Sequence, residues 1–298
     1  MKEEIQIPIP KISIEDFFKG DSQILIMNLK EFAQNYESII NSPRRITFYQ
    51  LIFITSGSLE CSIDSTRHNC SRSSLIALSK GQIQKIDFDK NVQGYIIQFS
   101  EEYINRYPED LKWLNNLELF HPLTNSLLIN LSDTECLEIE TYCNTMNSEM
   151  SRQDDFAKEG ILINLLKTML LILERINRDK SQSPTSDRSE WTCFSGFRDS
   201  LEEQYRMSRS VQYYADLLNT TPKKLNEITN NFCGQSAKRM IEDRVILEAK
   251  RLLIYTDNTI KEIGHFIGFN DPTNFNKFFK KFAGITPVEF RELTKTTL

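Results

Sequence analysis

Two segments near the carboxyl end of this chain repeat one pattern, and this repeat restricts the fold more than any other feature. Residues 221–234 and residues 271–284 share, in register, a proline, a large apolar residue, an asparagine, a second apolar residue, a phenylalanine and a glycine. A short apolar run at helical spacing precedes each copy. Each copy therefore predicts two short helices joined by a tight turn, which is a helix-turn-helix unit.

The second helix of each unit is predicted to carry an outward polar face. Thr221 and Asp271 are good N-caps, and the proline after each suits the first helical position. The apolar positions of both helices are expected to face the core: Leu225, Ile228, Phe232, Phe275, Phe278, Phe279 and Phe282. The polar side chains left outside are Lys223, Lys224, Asn226, Glu227 and Asn230 in the first unit, and Thr273, Asn274, Asn276, Lys277, Lys280 and Lys281 in the second.

A long helix is predicted between the two units, over Ser236–Tyr255. At 1.5 Å per residue it measures about 30 Å, close to the roughly 34 Å of one turn of B-DNA. A spacer of this length predicts that both units dock in neighbouring major grooves on one face of a duplex. A single unit of this kind also fits an ordinary helical hairpin, whereas two copies in register around such a spacer favour DNA recognition.

The whole carboxyl-terminal part, residues 190–298, is predicted to be helical. Its helices are expected near Thr192–Tyr205, Val211–Leu218, Pro222–Asn231, Ser236–Tyr255, Ile260–Ile267, Pro272–Phe282 and Pro287–Leu293. The net charge of the chain is −5, which argues against non-specific binding of nucleic acid. Residues 189–298 nevertheless carry 16 basic against 14 acidic side chains, and several of the lysines fall on the predicted outward faces.

The amino-terminal part, residues 1–176, is predicted to contain strands over about 46–100 and helices over about 101–176. The strand signals are runs of β-branched and aromatic residues at Ile46–Thr55, Leu59–Asp64, Ser74–Leu78, Ile83–Phe88 and Gly94–Phe99. Short strands at this spacing predict a small barrel or sandwich. The clearest helices are Cys136–Met150 and Ala157–Ile176, and a polar segment, 177–189, is predicted to be a linker. The fold class is therefore α+β followed by an all-α domain.

Residues 192–295 resemble the DNA-binding domain of the AraC/XylS family of bacterial transcription regulators. The resemblance is carried by Ile263-Gly264, Gly268–Asp271, Phe275–Lys277, Phe279–Lys281, Gly284–Pro287 and Phe290-Arg291. The amino-terminal strands resemble the cupin-like sensor and dimerisation barrel of that family through Phe48-Tyr49, Gly57, Gly81, Gly94-Tyr95 and Phe99-Ser100. The resemblance implies a regulator, and favours an activator, that binds double-stranded promoter DNA and contacts RNA polymerase.

The resemblance also implies roles for individual residues. Base contacts are expected from Lys223, Asn226, Glu227, Thr273, Asn274, Asn276 and Lys277, and phosphate contacts from Lys224, Lys280 and Lys281. Glu227 stands where many members have arginine, so the first unit is expected to bind weakly or to require a particular base. The helix near 157–176 has apolar residues on more than one face, which favours a homodimer formed through it; the alternative is that all of these faces pack within one subunit.

A small-molecule effector is a further expectation for the amino-terminal domain. Arg44, Arg45 and Lys85 are candidates to bind an acidic ligand, and the alternative is that they are solvated surface charges. No metal or cofactor is expected, because the three histidines (His68 in a turn-like segment, His121 and His265) form no His-x-His pattern. A cupin enzyme is therefore disfavoured, and the protein is not expected to be an enzyme.

The remaining alternative is a ligand-binding or protein-interaction adaptor without specific DNA binding. The six cysteines show no paired spacing, which predicts free thiols in a reducing compartment. The sequence has no apolar stretch of eighteen residues and no signal-peptide pattern at its start. We expect a bacterial cytoplasmic protein without a membrane partner.

Overall fold

The computed structural model describes residues 9–17, 23–64, 66–89, 91–104, 114, 117–120, 128–153, 155–181 and 188–295. Internal packing separates a unit of residues 10–183 from a unit built on residues 184–298. No helix within the described ranges is long and apolar enough to cross a membrane.

The first unit contains two five-stranded sheets. Its strands β1 to β10 are Lys11–Ile12, Ile24–Asn28, Arg44–Ile46, Tyr49–Ser56, Ser58–Ile63, Thr66–Ser71, Ser74–Leu78, Ile83–Phe88, Gln93–Phe99 and Leu128–Asn130. One sheet has the order β1-β3-β8-β5-β6 and the other β10-β7-β4-β9-β2. Side chains from both sheets, such as Ile52, Ile76, Ile86 and Ile96, form one apolar core between them.

Of the predicted barrel or sandwich, the described strands form the sandwich, with two sheets that do not close into a barrel. Among the described strands, backbone pairing occurs within each sheet and does not continue from one sheet to the other. One edge strand of each sheet is short, since β1 has two residues and β10 has three. The architecture is therefore a sandwich of two sheets.

Four helices complete this unit: α1 Leu29–Ile40, α2 Glu101–Ile104, α3 Asp133–Met150 and α4 Lys158–Ser181. Helices α3 and α4 pack against each other and cover the outer face of the sheet that contains β4 and β9. Glu174 of α4 accepts hydrogen bonds of 3.0 Å from the backbone amides of Glu118 and Leu119. Helix α4 extends to Ser181, inside the predicted linker 177–189, and residues 182–187 lie outside the described residues.

Several amino-terminal elements differ from the sequence prediction. Strands β1 and β2 and helix α1 precede the predicted first strand, and residues 47–48 separate β3 from β4 where one strand was predicted. His68 lies in β6 rather than in a turn. Strand β6 is at the edge of its sheet and buries Cys70 among polar neighbours, so its sequence lacks the usual strand signal. Gly94 is required where β9 meets β4, because a Cβ atom there would lie 1.9 Å from the Phe53 carbonyl oxygen.

The described part of the second unit is helical, as predicted. Its helices α5 to α11 are Arg188–Gln204, Val211–Leu217, Pro222–Cys233, Ala237–Tyr255, Ile260–Phe266, Pro272–Ala283 and Pro287–Lys295. Thr221 caps α7 by accepting from the Lys224 amide at 3.2 Å, and Asp271 caps α10 by accepting from the Thr273 amide at 2.8 Å. Both helices end at glycines with positive φ. Helices α6–α7 and α9–α10 are thus the two predicted helix-turn-helix units, with α8 between them.

Candidate nucleic-acid interface

Helix α7 presents one polar side outward. Leu225, Ile228 and Thr229 are buried in the second unit, and Phe232 stacks on Phe194 of α5 with ring centroids 4.8 Å apart. The exposed side chains on the opposite face are Lys223, Glu227 and Asn230.

Asn226, predicted to contact a base, is engaged inside the domain. Its Oδ1 accepts from the backbone amide of Ala237 at 2.9 Å, and its Nδ2 donates to the Pro222 carbonyl at 2.9 Å. Ala237 is the first residue of α8, where a backbone amide has no partner within its own helix. A two-bond contact with adenine would require Asn226 to give up these bonds. We therefore assign Asn226 to the junction of α7 with α8.

Lys224 is also engaged, in an ion-pair group on α7. Its Nζ lies 2.5 Å from a carboxylate oxygen of Glu190 on α5 and 3.6 Å from Oε2 of Glu227. The hydrogen bond that Lys224 donates to Glu190 is the main reason that the pKa of Lys224 is raised above its ordinary value. One ammonium group therefore faces two carboxylates, and much of the positive charge of α7 is compensated within the protein.

Helix α10 is different, because its outward side chains remain available. Phe275 and Phe279 are buried, and Phe278 packs on Phe269 with ring centroids 5.2 Å apart. The six predicted contact residues of this helix are all exposed: Thr273, Asn274, Asn276, Lys277, Lys280 and Lys281. The sequence of α10 contains three lysines and no acidic residue. Its outer surface is consequently cationic, whereas that of α7 is close to neutral.

Helix α8 holds a buried network of charges that the sequence analysis missed. Arg244 Nε lies 2.7 Å from Oε2 of Glu202 on α5, and both Arg244 and Arg251 contact Oε2 of Glu248 at 3.3 and 3.2 Å. The Arg244 guanidinium also lies over the ring of Tyr205, 4.1 Å from its centroid. Buried groups of this kind depend strongly on their partners, so the network fixes α8 against α5. Arg244, Glu248 and Arg251 recur at helical spacing, but a helix face with several charged residues is normally expected to be exposed, so the sequence did not indicate that this face is buried.

The three predicted effector-binding cations do not all lie on one face of their sheet. Arg44 pairs with Gln84 across the β3–β8 ladder and so shares its face, whereas Arg45 lies on the other face. Arg45 donates to the Gly81 carbonyl at 3.1 Å, and Lys85 lies 3.8 Å from Asp87. The half-buried arginines and Lys85 thus have different local partners.

Two other features of the first unit are suited to small molecules. Gln50 donates to Gln84 of the other sheet at 2.7 Å and accepts from Gln98 on the neighbouring strand of its own sheet at 2.8 Å. The Gln98 Oε1 atom is buried without a hydrogen-bond partner among the described residues. Separately, a cavity of about 430 Å³ lies between α1 and β8. Its floor is apolar, and its polar lining includes Lys30, Gln34, Glu37, Asn41, Asp87 and Asp89.

No group of three or more metal-ligating side chains occurs in the part of the chain that the structure describes. His68 lies in β6 and His265 is exposed on α9, while His121 lies outside the described residues. Burial lowers the pKa of His68.

Comparisons with known proteins agree with this division of the chain. A family model described as a helix-turn-helix domain matches residues 214–293, and one described as an AraC-like ligand binding domain matches residues 32–166. The arabinose operon regulatory protein of Escherichia coli is 33% identical over 134 residues, which are 45% of this chain and 44% of that protein. The protein of the same name from Salmonella typhimurium is 31% identical over 133 residues, 45% of this chain and 46% of that one.

The chain spans about half the length of the curated relatives it matches first. Among solved structures, unsaturated fatty acid-bound ToxT from Vibrio cholerae is 14% identical and has a TM-score of 0.39, covering 92% of this chain and 96% of that one. The carboxyl-terminal domain of the response regulator YesN from Fusobacterium nucleatum is 25% identical with a TM-score of 0.30 and covers 32% of this chain and 93% of that one.

Proposed function

The chain belongs to the AraC family of transcription regulators, and from this premise we propose that it binds promoter DNA specifically, with α7 and α10 in two adjacent major grooves. The observation that carries the proposal is the outward face of α10, with six exposed polar side chains, three of them lysines, and no acid. Helix α8 has 19 residues and is about 28 Å long, close to the groove repeat of about 34 Å.

The contacts are divided by chemistry and position. In α10 we assign base contacts to Thr273, Asn274, Asn276 and Lys277, because hydroxyl, amide and ammonium groups pair with base edges. Lys280 and Lys281, one turn further along, are assigned to phosphates. In α7 we assign base contacts to Lys223 and Glu227, with Lys224 and Asn230 near the backbone. Asn226 leaves this set because its amide holds α8.

The two recognition helices are proposed to contribute unequally. Lys277, Lys280 and Lys281 give α10 the larger electrostatic attraction to DNA, which is independent of sequence. Glu227 repels phosphate and accepts hydrogen bonds from cytosine, so α7 contributes discrimination more than affinity.

Selection of bound duplexes from a random pool tests the proposal directly. We expect an enriched sequence with two elements about one helical turn apart at moderate salt. If no sequence is enriched, while a protein partner is recovered with the intact chain, the adaptor hypothesis replaces this one. Run-off transcription with RNA polymerase on the selected site then distinguishes activation, which the family favours, from repression. A protein with this function acts in the bacterial cytoplasm, where the chromosome lies.

We further propose that the first unit binds a small effector in the cavity between α1 and β8. Its volume of about 430 Å³ lies within the range of ligand sites. Three acidic side chains and one lysine line it, which favours a neutral or cationic ligand over the acidic ligand expected from Arg44, Arg45 and Lys85. Isothermal titration of a metabolite panel with wild type and Phe88→Trp tests this site; a ligand whose affinity is unchanged by the substitution would place binding elsewhere.

Homodimer formation through α4 is the last part of the proposal. Most apolar residues of α4 are buried within its own unit, which accounts for the apolar pattern on several faces. A narrow exposed stripe remains, in which Ile161 and Leu171 are 40% and 52% exposed. Sedimentation should give a dimer for wild type and a monomer for Leu171→Glu. Exposed Leu137 of α3 supplies the control, because Leu137→Glu should leave the dimer intact.

A further inference from the structure

The turn of the second helix-turn-helix unit packs directly on the segment that precedes the first. Gly268 of this turn has a φ of +91°, and a Cβ atom there would lie 2.1 Å from the carbonyl oxygen of Arg206. Only glycine adopts this conformation easily and permits so close an approach of two backbones. The second helix-turn-helix unit therefore contacts the segment before α6 directly, backbone against backbone.

Arg209 reinforces this contact with its side chain. The guanidinium lies over the ring of Phe269, 3.7 Å from the centroid, and Nη1 donates to the Gly268 carbonyl at 3.2 Å. Nearby, the guanidinium of Arg206 lies 4.7 Å from the ring centroid of Phe266. A planar guanidinium makes both a stacking contact and a directed hydrogen bond, which an ammonium group does not reproduce.

The contact is linked through packed neighbours to α10 and to α6, the helix that precedes α7. On one side, the Phe269 ring meets those of Phe275 and Phe278 on α10, at centroid distances of 5.6 and 5.2 Å. On the other, Tyr214 of α6 donates to the carbonyl of Ser208, the residue before Arg209, at 3.1 Å. Movement of the second helix-turn-helix unit against the first must therefore break the contact of Arg209 with Phe269.

We propose that Arg209, Gly268 and Phe269 form a clamp that fixes the orientation of α10 relative to α7, so that Arg209 is a positioning residue which determines the half-site spacing accepted. Helix α8 packs against α6, α7, α9 and α10 and so relates the two helix-turn-helix units indirectly. The clamp adds a direct restraint between the turn of the second unit and the segment before the first. This inference rests on the proposed function for its effect on DNA.

The first test compares two duplexes with the full chain. One is the duplex enriched by selection, and the other has one base pair inserted between its elements, which adds about 3.4 Å and about 35° of rotation. Wild type should prefer the first duplex by about tenfold or more, the equivalent of one good base contact. Arg209→Lys keeps the charge and should reduce this preference to below about threefold, because the units can then adjust. Phe269→Leu, which keeps most of the apolar volume but removes the aromatic ring, should reduce the preference in the same way.

The control is Lys261→Ala, an exposed lysine of α9 outside the clamp, which should leave the preference unchanged. A purely structural role for Arg209 predicts an equal loss on both duplexes, and that result would overturn the clamp.

A second measurement needs no DNA and separates failure of the clamp from failure of the proposed function. Absence of any enriched duplex would refute specific DNA binding. The clamp would then be decided by amide hydrogen exchange of the free protein, in which Arg209→Lys should speed exchange at Gly268 and Phe269 by about tenfold through local opening. Exchange at α11 should stay unchanged. Equal exchange at Gly268 and Phe269 in wild type and variant would refute the clamp.

Discussion

Replacing Glu190 with glutamine should strengthen DNA binding, because it releases Lys224 on the first recognition helix. Lys224 Nζ lies 2.5 Å from Glu190 and 3.6 Å from Glu227. The substitution removes one of these two negative charges and preserves the size of the side chain. Lys224 is then free to direct its charge toward a phosphate at the edge of the groove.

The size of the effect follows from the number of phosphates contacted. Each additional contact with B-DNA steepens the plot of log affinity against log salt by about 0.9. If Lys224 gains one phosphate, the ratio of variant to wild-type affinity should fall about 3.5-fold between 50 and 200 mM salt.

Fluorescence anisotropy titration of the selected duplex at four salt concentrations measures this slope. Glu203→Gln is the matched control, since Glu203 is an exposed residue of the same helix α5 and the change in net charge is equal. Glu190→Gln in a Lys224→Ala background should have no effect. An equal gain from Glu203→Gln, or an undiminished gain without Lys224, would show a general charge effect and refute the argument.

Three further predictions concern the second unit. Asn276→Ala should weaken binding of the selected duplex by about 1–3 kcal/mol and relax the base preference. Lys280→Ala should instead weaken binding of all duplexes alike and reduce the dependence of affinity on salt. Competition binding against single-base variants distinguishes the two, and an altered base preference for Lys280→Ala would contradict the assignment. Glu248→Gln should lower the free energy of unfolding by about 3–5 kcal/mol, because it removes the negative charge that two buried guanidinium groups share. Urea unfolding measures this, and a change below about 1 kcal/mol would contradict the network. The backbone amide of Thr259 is the main cause that lowers the pKa of Glu262, so its stabilisation is complete above the unfolded pKa of about 4.3 and is lost as pH falls through the lower folded value. Glu262→Gln should therefore reduce the loss of thermal stability on acidification in that window, and an unchanged acid profile would show that the cap does not matter.

The carboxyl-terminal fold could be predicted from sequence because its signals are local. Thr221-Pro222 and Asp271-Pro272 mark helix starts, and Gly234 and Gly284 mark helix ends, so each boundary is determined by two or three adjacent residues. The helices of this unit lie within a few residues of their predicted bounds.

The amino-terminal fold was predicted less fully, for two different reasons. Helix α1 had a readable signal, since Leu29, Phe32, Tyr36 and Ile40 recur at helical spacing, and the sequence analysis missed it. Strand β6 had no such signal, because an edge strand with one buried side chain looks like a polar loop. Closure of a barrel depends on pairing between distant strands, which no local pattern records.

The candidate site shows the same limit at the level of single residues. The outward faces of α7 and α10 follow from helical periodicity. Periodicity does not show whether an outward side chain is free to contact DNA, because a partner within the protein can lie far along the chain. Lys224 meets Glu190 from 34 positions away, and Arg209 meets Gly268 from 59 positions away. Tertiary packing determines these pairings, and the spacing of neighbouring residues in the sequence does not reveal them.

These long-range pairings also explain why two copies of one pattern have unequal roles. Asn226 and Asn276 occupy the same position of the repeat, yet Asn226 holds the first residue of α8 at 2.9 Å and Asn276 is exposed. A side chain committed to the junction of two helices does not also pair with adenine without cost to that junction. In our proposal the first helix-turn-helix unit therefore uses Asn226 and Lys224 to hold its own geometry, whereas the second leaves its polar side chains available for DNA.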